Sequence, residues 1–141
     1  MNDWIDKQNS LVGRIIDGSV TIDSVTKFED LLKIFPNDPG LHRVFADLLK
    51  KEKSLYAAAD AYGRAAKLFI ESGMTLQSIV SKIHEWRIFN PSYQEGEAFY
   101  SALHKCKSKE IGVQRFFIKM THPEIIAVMS ELVPRHFLRA A

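Results

Sequence analysis

The stretch Ser54 to Ser72, SLYAAADAYGRAAKLFIES, limits the fold more than any other part of this chain. Ala58, Ala61, Tyr62, Ala65, Leu68 and Phe69 recur at steps of three and four, and Leu55, Ala59, Ala66 and Ile70 form a second apolar stripe on another side. Only Asp60, Arg64, Lys67 and Glu71 leave a polar strip, at spacings where side chains on one helical face meet. A helix that is apolar nearly all round must be covered on more than one side. Its alanines let the neighbours come near the short end of the usual range of about 8–10 Å. The spacing therefore predicts a central packing helix.

The rest of the chain reads as further helices around it. A first helix is expected over residues 3–17, with Trp4, Leu11, Val12, Ile15 and Ile16 apolar, stopped by Gly18 and Ser19. A second spans 21–35 with Val25, Phe28, Leu31, Leu32 and Phe35 inward. Pro36 and Pro39 lie in a turn over 36–40, because each lacks a backbone donor and biases its predecessor away from helix. A third helix, 41–51, buries Leu41, Val44, Phe45, Leu48 and Leu49. After the central helix, Gly73 is placed to stop and Thr75 to cap. The fifth helix carries Leu76, Ile79, Val80, Ile83 and Trp86 and ends before Pro91; a sixth runs to about Lys107. No alternating strand pattern outlasts four or five residues. The fold class is all-α.

A chain of helices has to be read for repeats, which decide the architecture. A shift of 34 residues lays Leu11 on Phe45, Ile15 on Leu49, Ser24 on Ala58, Phe28 on Tyr62, Leu31 on Ala65 and Phe35 on Phe69. That shift is the tetratricopeptide period. Residues 42–65 resemble this family directly: Ala58, Tyr62 and Ala65 match its small, aromatic, small signature, and Pro36 stands at its closing proline. Departures are His42 for a Trp, Ala46 for a Gly and Ile70 for the proline. The resemblance covers about residues 3–107, with one good repeat, one degenerate repeat and a third helical pair that hardly fits. It implies a short right-handed solenoid of antiparallel helix pairs and a protein-interaction role. First helices line the concave side in that family. Arg43, Asp47, Lys50, Gln77, Ser81 and His84 thereby become the expected partner contacts. The family's grip on a terminal carboxylate is not expected: the matching places hold Asn9, Gly13, Arg43 and Asp47, and Asp47 repels a carboxylate.

Residues 108–141 break the pattern with a lysine-rich stretch ending in Gly112, and are expected to lead towards a further domain. RFFIKMTHPEIIAVMSELVPRHF, residues 115–137, resembles the opening of a bacterial cyclic-nucleotide-binding domain. Thr121 and Glu124 have capping-box spacing, and Ile125, Ile126, Met129, Leu132 and Val133 share one helical face. That resemblance implies the amino-terminal part of a larger bacterial regulatory protein, because the strands and the Gly-Glu and Arg-Ala cassette of such a domain do not precede Ala141. A free-standing adaptor and a secretion-type chaperone with a tetratricopeptide groove are the alternatives. The apolar stripe needs a cover, found by folding back on the stack or by pairing with a second copy, which would make a homodimer through the carboxyl-terminal helix. Phe116 and Phe117 cannot both face one small core, so one is an expected docking side chain.

Composition narrows the chemistry. The net charge of +2 is too small to imply a nucleic-acid partner, which is not expected, although seven Lys or Arg against three Glu after residue 97 make that end basic and orient it towards an acidic partner. The basic clusters Lys50, Lys51, Lys53 and Lys105, Lys107, Lys109 fall near helix carboxyl ends, where they complement the helix dipole. The single cysteine, Cys106, forms no internal disulfide and fits a reducing, cytoplasmic setting. No stretch approaches the ~18 apolar residues of a membrane span. His104 and Cys106 point about 200° apart on a helix, and His42, His84, His122 and His136 sit in different helices with no companion motif. No cofactor, no metal and no enzymatic activity are expected. The partner is another protein or peptide.

Overall fold

Short polar side chains start most of the helices. In the computed structural model, which describes residues 10–106, there are six: α1 (Leu11–Ile16), α2 (Val25–Ile34), α3 (Pro39–Lys51), α4 (Leu55–Glu71), α5 (Thr75–Ile88) and α6 (Tyr93–Lys105). Ser10 Oγ accepts from the Gly13 N–H at 3.0 Å, Ser24 Oγ from Lys27 at 3.3 Å and Asp38 Oδ1 from Leu41 at 3.1 Å. Ser92 and Glu95 form a full capping box. Each cap satisfies a donor that the first helical turn leaves free. The stops are equally local, since Gly18 (φ 87°) and Gly73 (φ 76°) both adopt the left-handed conformation that follows a helix end.

The central position of α4 is a matter of packing. It makes the two most extensive helix contacts among the described elements, one with α3 and one with α5. Ala58, Ala61 and Ala65 are fully buried, with Ala59 and Ala66 nearly so, which is the two-sided burial expected of this helix. Asp60 and Arg64 pair along its exposed strip. On the α3 side, Ala58, Ala61 and Tyr62 join a core of Val12, Ile15, Phe28, Leu31, Leu41, Phe45 and Leu49 from the first three helices. The Phe28 and Phe45 rings lie 5.3 Å apart. On the α5 side the approach is close enough for Ser78 Oγ to donate to the Ala66 carbonyl at 2.7 Å. Trp86 of α5 meets Phe99 of α6 edge to face at 5.5 Å. No helix among the described residues is long and apolar enough to cross a membrane.

Several details differ from the expectation. Helix α3 begins at Pro39, not Leu41, because Asp38 caps it and proline's fixed φ suits a first helical position. Thr75 is not a cap; it is the first residue of α5, and it is buried. Phe35 is exposed, since α2 ends at Ile34 and the non-helical backbone of Phe35 (ψ 68°) takes it off the inward stripe. Leu11 and Leu55 open their helices, and their side chains lean beyond the first turn into solvent. On α5, Leu76 and Val80 are exposed while Ser78 and Ser81 are buried. Ile79, Ile83 and Trp86 keep their expected buried places, and Ser78 joins them where α5 comes near enough to α4 for its hydroxyl to reach the Ala66 carbonyl. Of the first expected helix, residues 3–9 with Trp4 lie outside the described residues.

Candidate functional site

Asp47 is the hinge of a polar cluster drawn from three helices. On α3, Arg43, Asp47 and Lys50 stand one turn apart on one face. Arg43 Nη1 lies 2.9 Å from Asp47 Oδ2, in a half-exposed ion pair. The other carboxylate oxygen accepts a hydrogen bond from the hydroxyl of Tyr62, which reaches over from α4. The Tyr62 ring stacks on the imidazole of His84 from α5, with centroids 5.1 Å apart and planes 15° from parallel. Three helices thus present one continuous chain of groups: guanidinium, carboxylate, phenol, imidazole.

The electrostatics follow from this geometry. Burial pushes the Tyr62 phenol above its ordinary range, and the Asp47 carboxylate that accepts its proton pushes it further. The tyrosine therefore stays a neutral donor. Burial also lowers the affinity of His84 for a proton; Asp47 opposes this, while Lys50, Arg87 and Arg43 reinforce it. Three cations and one carboxylate are within electrostatic reach of a single imidazole. Among the described residues, the buried Nδ1 of His84 has no hydrogen-bond partner. Asp47 also borders an open pocket of about 200 Å³ between α3 and the link after α1, lined in part by Val20, Ile22, Val44 and Lys51.

Of the residues singled out from sequence, Arg43, Asp47 and His84 are brought together, and Lys50 lies on the same face of α3. Gln77 is exposed on α5. Ser81 is a correction: it is fully buried, so its hydroxyl is not available to a partner. Phe116 and Phe117 lie outside the described residues. Tyr62, credited to the core from its spacing, is both core and site, being buried along its ring and bonded to Asp47 at its tip. A tyrosine in an alanine-rich buried stripe is the signal that points there, because a buried hydroxyl needs an acceptor. Arg87, exposed one turn beyond His84, was not singled out either.

The scattered histidines and the cysteine find separate places. His42 is buried, with Nε2 2.7 Å from the Pro36 carbonyl. His104 stacks on Tyr100, and Cys106 follows the last residue of α6 with Sγ donating to the Ile70 carbonyl at 3.3 Å. Among the described residues no three His, Cys, Asp or Glu side chains converge as metal ligands do. No family model, curated protein or solved structure matches this chain.

Proposed function

We propose that this chain is a non-enzymatic helical-repeat module of the tetratricopeptide-like kind that binds another protein or a peptide, with α3 and α5 as its first-helix face. The observation that carries the reading is the cluster Arg43, Asp47, Tyr62 and His84, in which the exposed polar groups of two such helices are tied together through the central one. A surface whose side chains are already held by each other loses little rotamer freedom when a ligand docks, which favours binding. Arg43 and Asp47 supply a donor and an acceptor at half-exposed positions, Lys50 and Gln77 extend the face, and His84 adds a flat ring.

A peptide display library selected against the full chain tests this. Selected peptides should lose at least tenfold in affinity on the double change Arg43→Ala and His84→Ala, with the melting temperature kept within a few degrees, and should be indifferent to Lys67→Gln on the exposed strip of α4. Failure to select any peptide, or binding that ignores the double change, removes the reading. The place ahead of a cyclic-nucleotide-binding domain belongs to the same proposal and rests on the resemblance of residues 115–137. A coding sequence that continues past Ala141 into strands with the Gly-Glu and Arg-Ala cassette supports that part. A stop codon there overturns it in favour of the free-standing adaptor or chaperone.

A further inference from the structure

Apart from the Arg43–His84 cluster, an apolar groove of about 370 Å³ lies between the central helix and α6, lined by Gly63, Ala66 and Ile70 on one side and Ala98, Phe99 and Ala102 on the other. Lys82 also reaches it, but its ammonium group is already engaged. Nζ is 2.7 Å from Glu85 Oε1 and 5.5 Å and 5.6 Å from the centres of the Trp86 and Phe99 rings. With Lys82 paired and Glu71 and Glu95 beside Lys67 in the lining, the groove offers shape and apolar surface rather than an anchor for an anion. Alanine and glycine are four of its ten lining residues and let another helix approach closely, while Lys67, Glu71 and Glu95 stand at exposed positions around it. An engineered apolar cavity of about 150 Å³ takes one benzene ring, so this groove has room for roughly two or three side chains.

We propose that residues 121–133 of this same chain dock on the groove, with Ile125, Ile126 and Met129 as the side chains that enter it. Chain connectivity singles out this occupant. The described part ends at Cys106, whose Sγ is bonded to the carbonyl of Ile70, itself a wall of the groove, so the chain departs beside the site. The eighteen residues between Cys106 and Ile125 span up to about 60 Å when extended. The groove stretch of α4 from Gly63 to Ile70 is only about 10 Å long. The connection therefore reaches every point of the groove, and tethering raises the segment's effective concentration to the order of millimolar. The segment also carries what the groove lacks: Ile125, Ile126, Met129, Leu132 and Val133 at the spacing of one helical face that must be covered.

Hydrogen exchange on the full 141-residue chain tests the contact from both sides. The amides of residues 125–133 should be protected in the parent at a level independent of protein concentration. Ala98→Arg, a change at an exposed wall position, should reduce that protection at least tenfold while α4 keeps its own. Met129→Asp, which leaves the groove walls untouched, should in turn speed exchange in residues 95–103 of α6. The proposal is overturned if 125–133 are unprotected in the parent, or if Met129→Asp leaves α6 unchanged. Protection that rises with concentration alongside a dimer in the ultracentrifuge also overturns it, since the occupant would then come from a second copy.

Discussion

Ala61→Glu should unfold the helical domain, and the size of the effect follows from where Ala61 sits. Its side chain is fully buried on the α3 side of α4, in one cluster with Phe45, Leu49, Ala58 and Tyr62. A glutamate there places a carboxylate among buried apolar side chains. An uncompensated buried charge costs about 3–5 kcal/mol, against a total stability of about 5–15 kcal/mol for a domain. The added side-chain volume also forces apart helices that alanine lets pack closely, at a further cost of about 1–3 kcal/mol. For a domain of this size, 1 kcal/mol moves the melting temperature by roughly 4–8 °C. The variant should therefore melt more than about 10 °C below the parent or be unfolded at room temperature. Circular dichroism of the full chain reads this directly. Lys67→Gln, at an exposed position on the same helix, serves as the control and should stay within about 0.5 kcal/mol. If Ala61→Glu melts within a degree or two of the parent, α4 is not the hub of the fold.

Three further outcomes are expected. Gly18→Ala should cost about 1–2 kcal/mol from backbone conformation alone, because Gly18 has φ 87° and an added Cβ meets no atom within 4 Å; a neutral thermal melt contradicts the left-handed stop. Burial holds His84 below its ordinary range, so the unfolded imidazole binds its proton near pH 6.5 while the folded one does not, and stability falls as pH drops. That contribution is fully present above about pH 6.5 and is lost as pH falls towards the lowered folded value. In His84→Gln the melting temperature should vary less between about pH 7.5 and 5.5 than in the parent, and an unchanged slope refutes the assignment. Excess chelator should leave the melting temperature of the full chain where it is; a clear drop would reveal a structural metal, whose binding free energy is part of folding.

Local chemistry is what the sequence alone determined. The helical period and the Gly18 and Gly73 stops act over three or four residues, so they place the helices without knowledge of any partner. The central role of α4 was legible for the same reason, since a helix apolar on two stripes has to be covered twice. Arg43 and Asp47, one turn apart, were likewise readable as neighbours. Tertiary structure decided which stripe faces which neighbour. Leu76 and Val80 have the apolar character of core residues, yet Ser78 and Ser81 take the inside. Beside the buried Ile79, Ile83 and Trp86, Ser78 lies close enough to α4 to donate a hydrogen bond to the Ala66 carbonyl. The site was hidden for a related reason. Tyr62 meets Asp47 from another helix and His84 from a third. No period within one helix encodes such a meeting, which exists only once α3 and α5 are set against the two sides of α4.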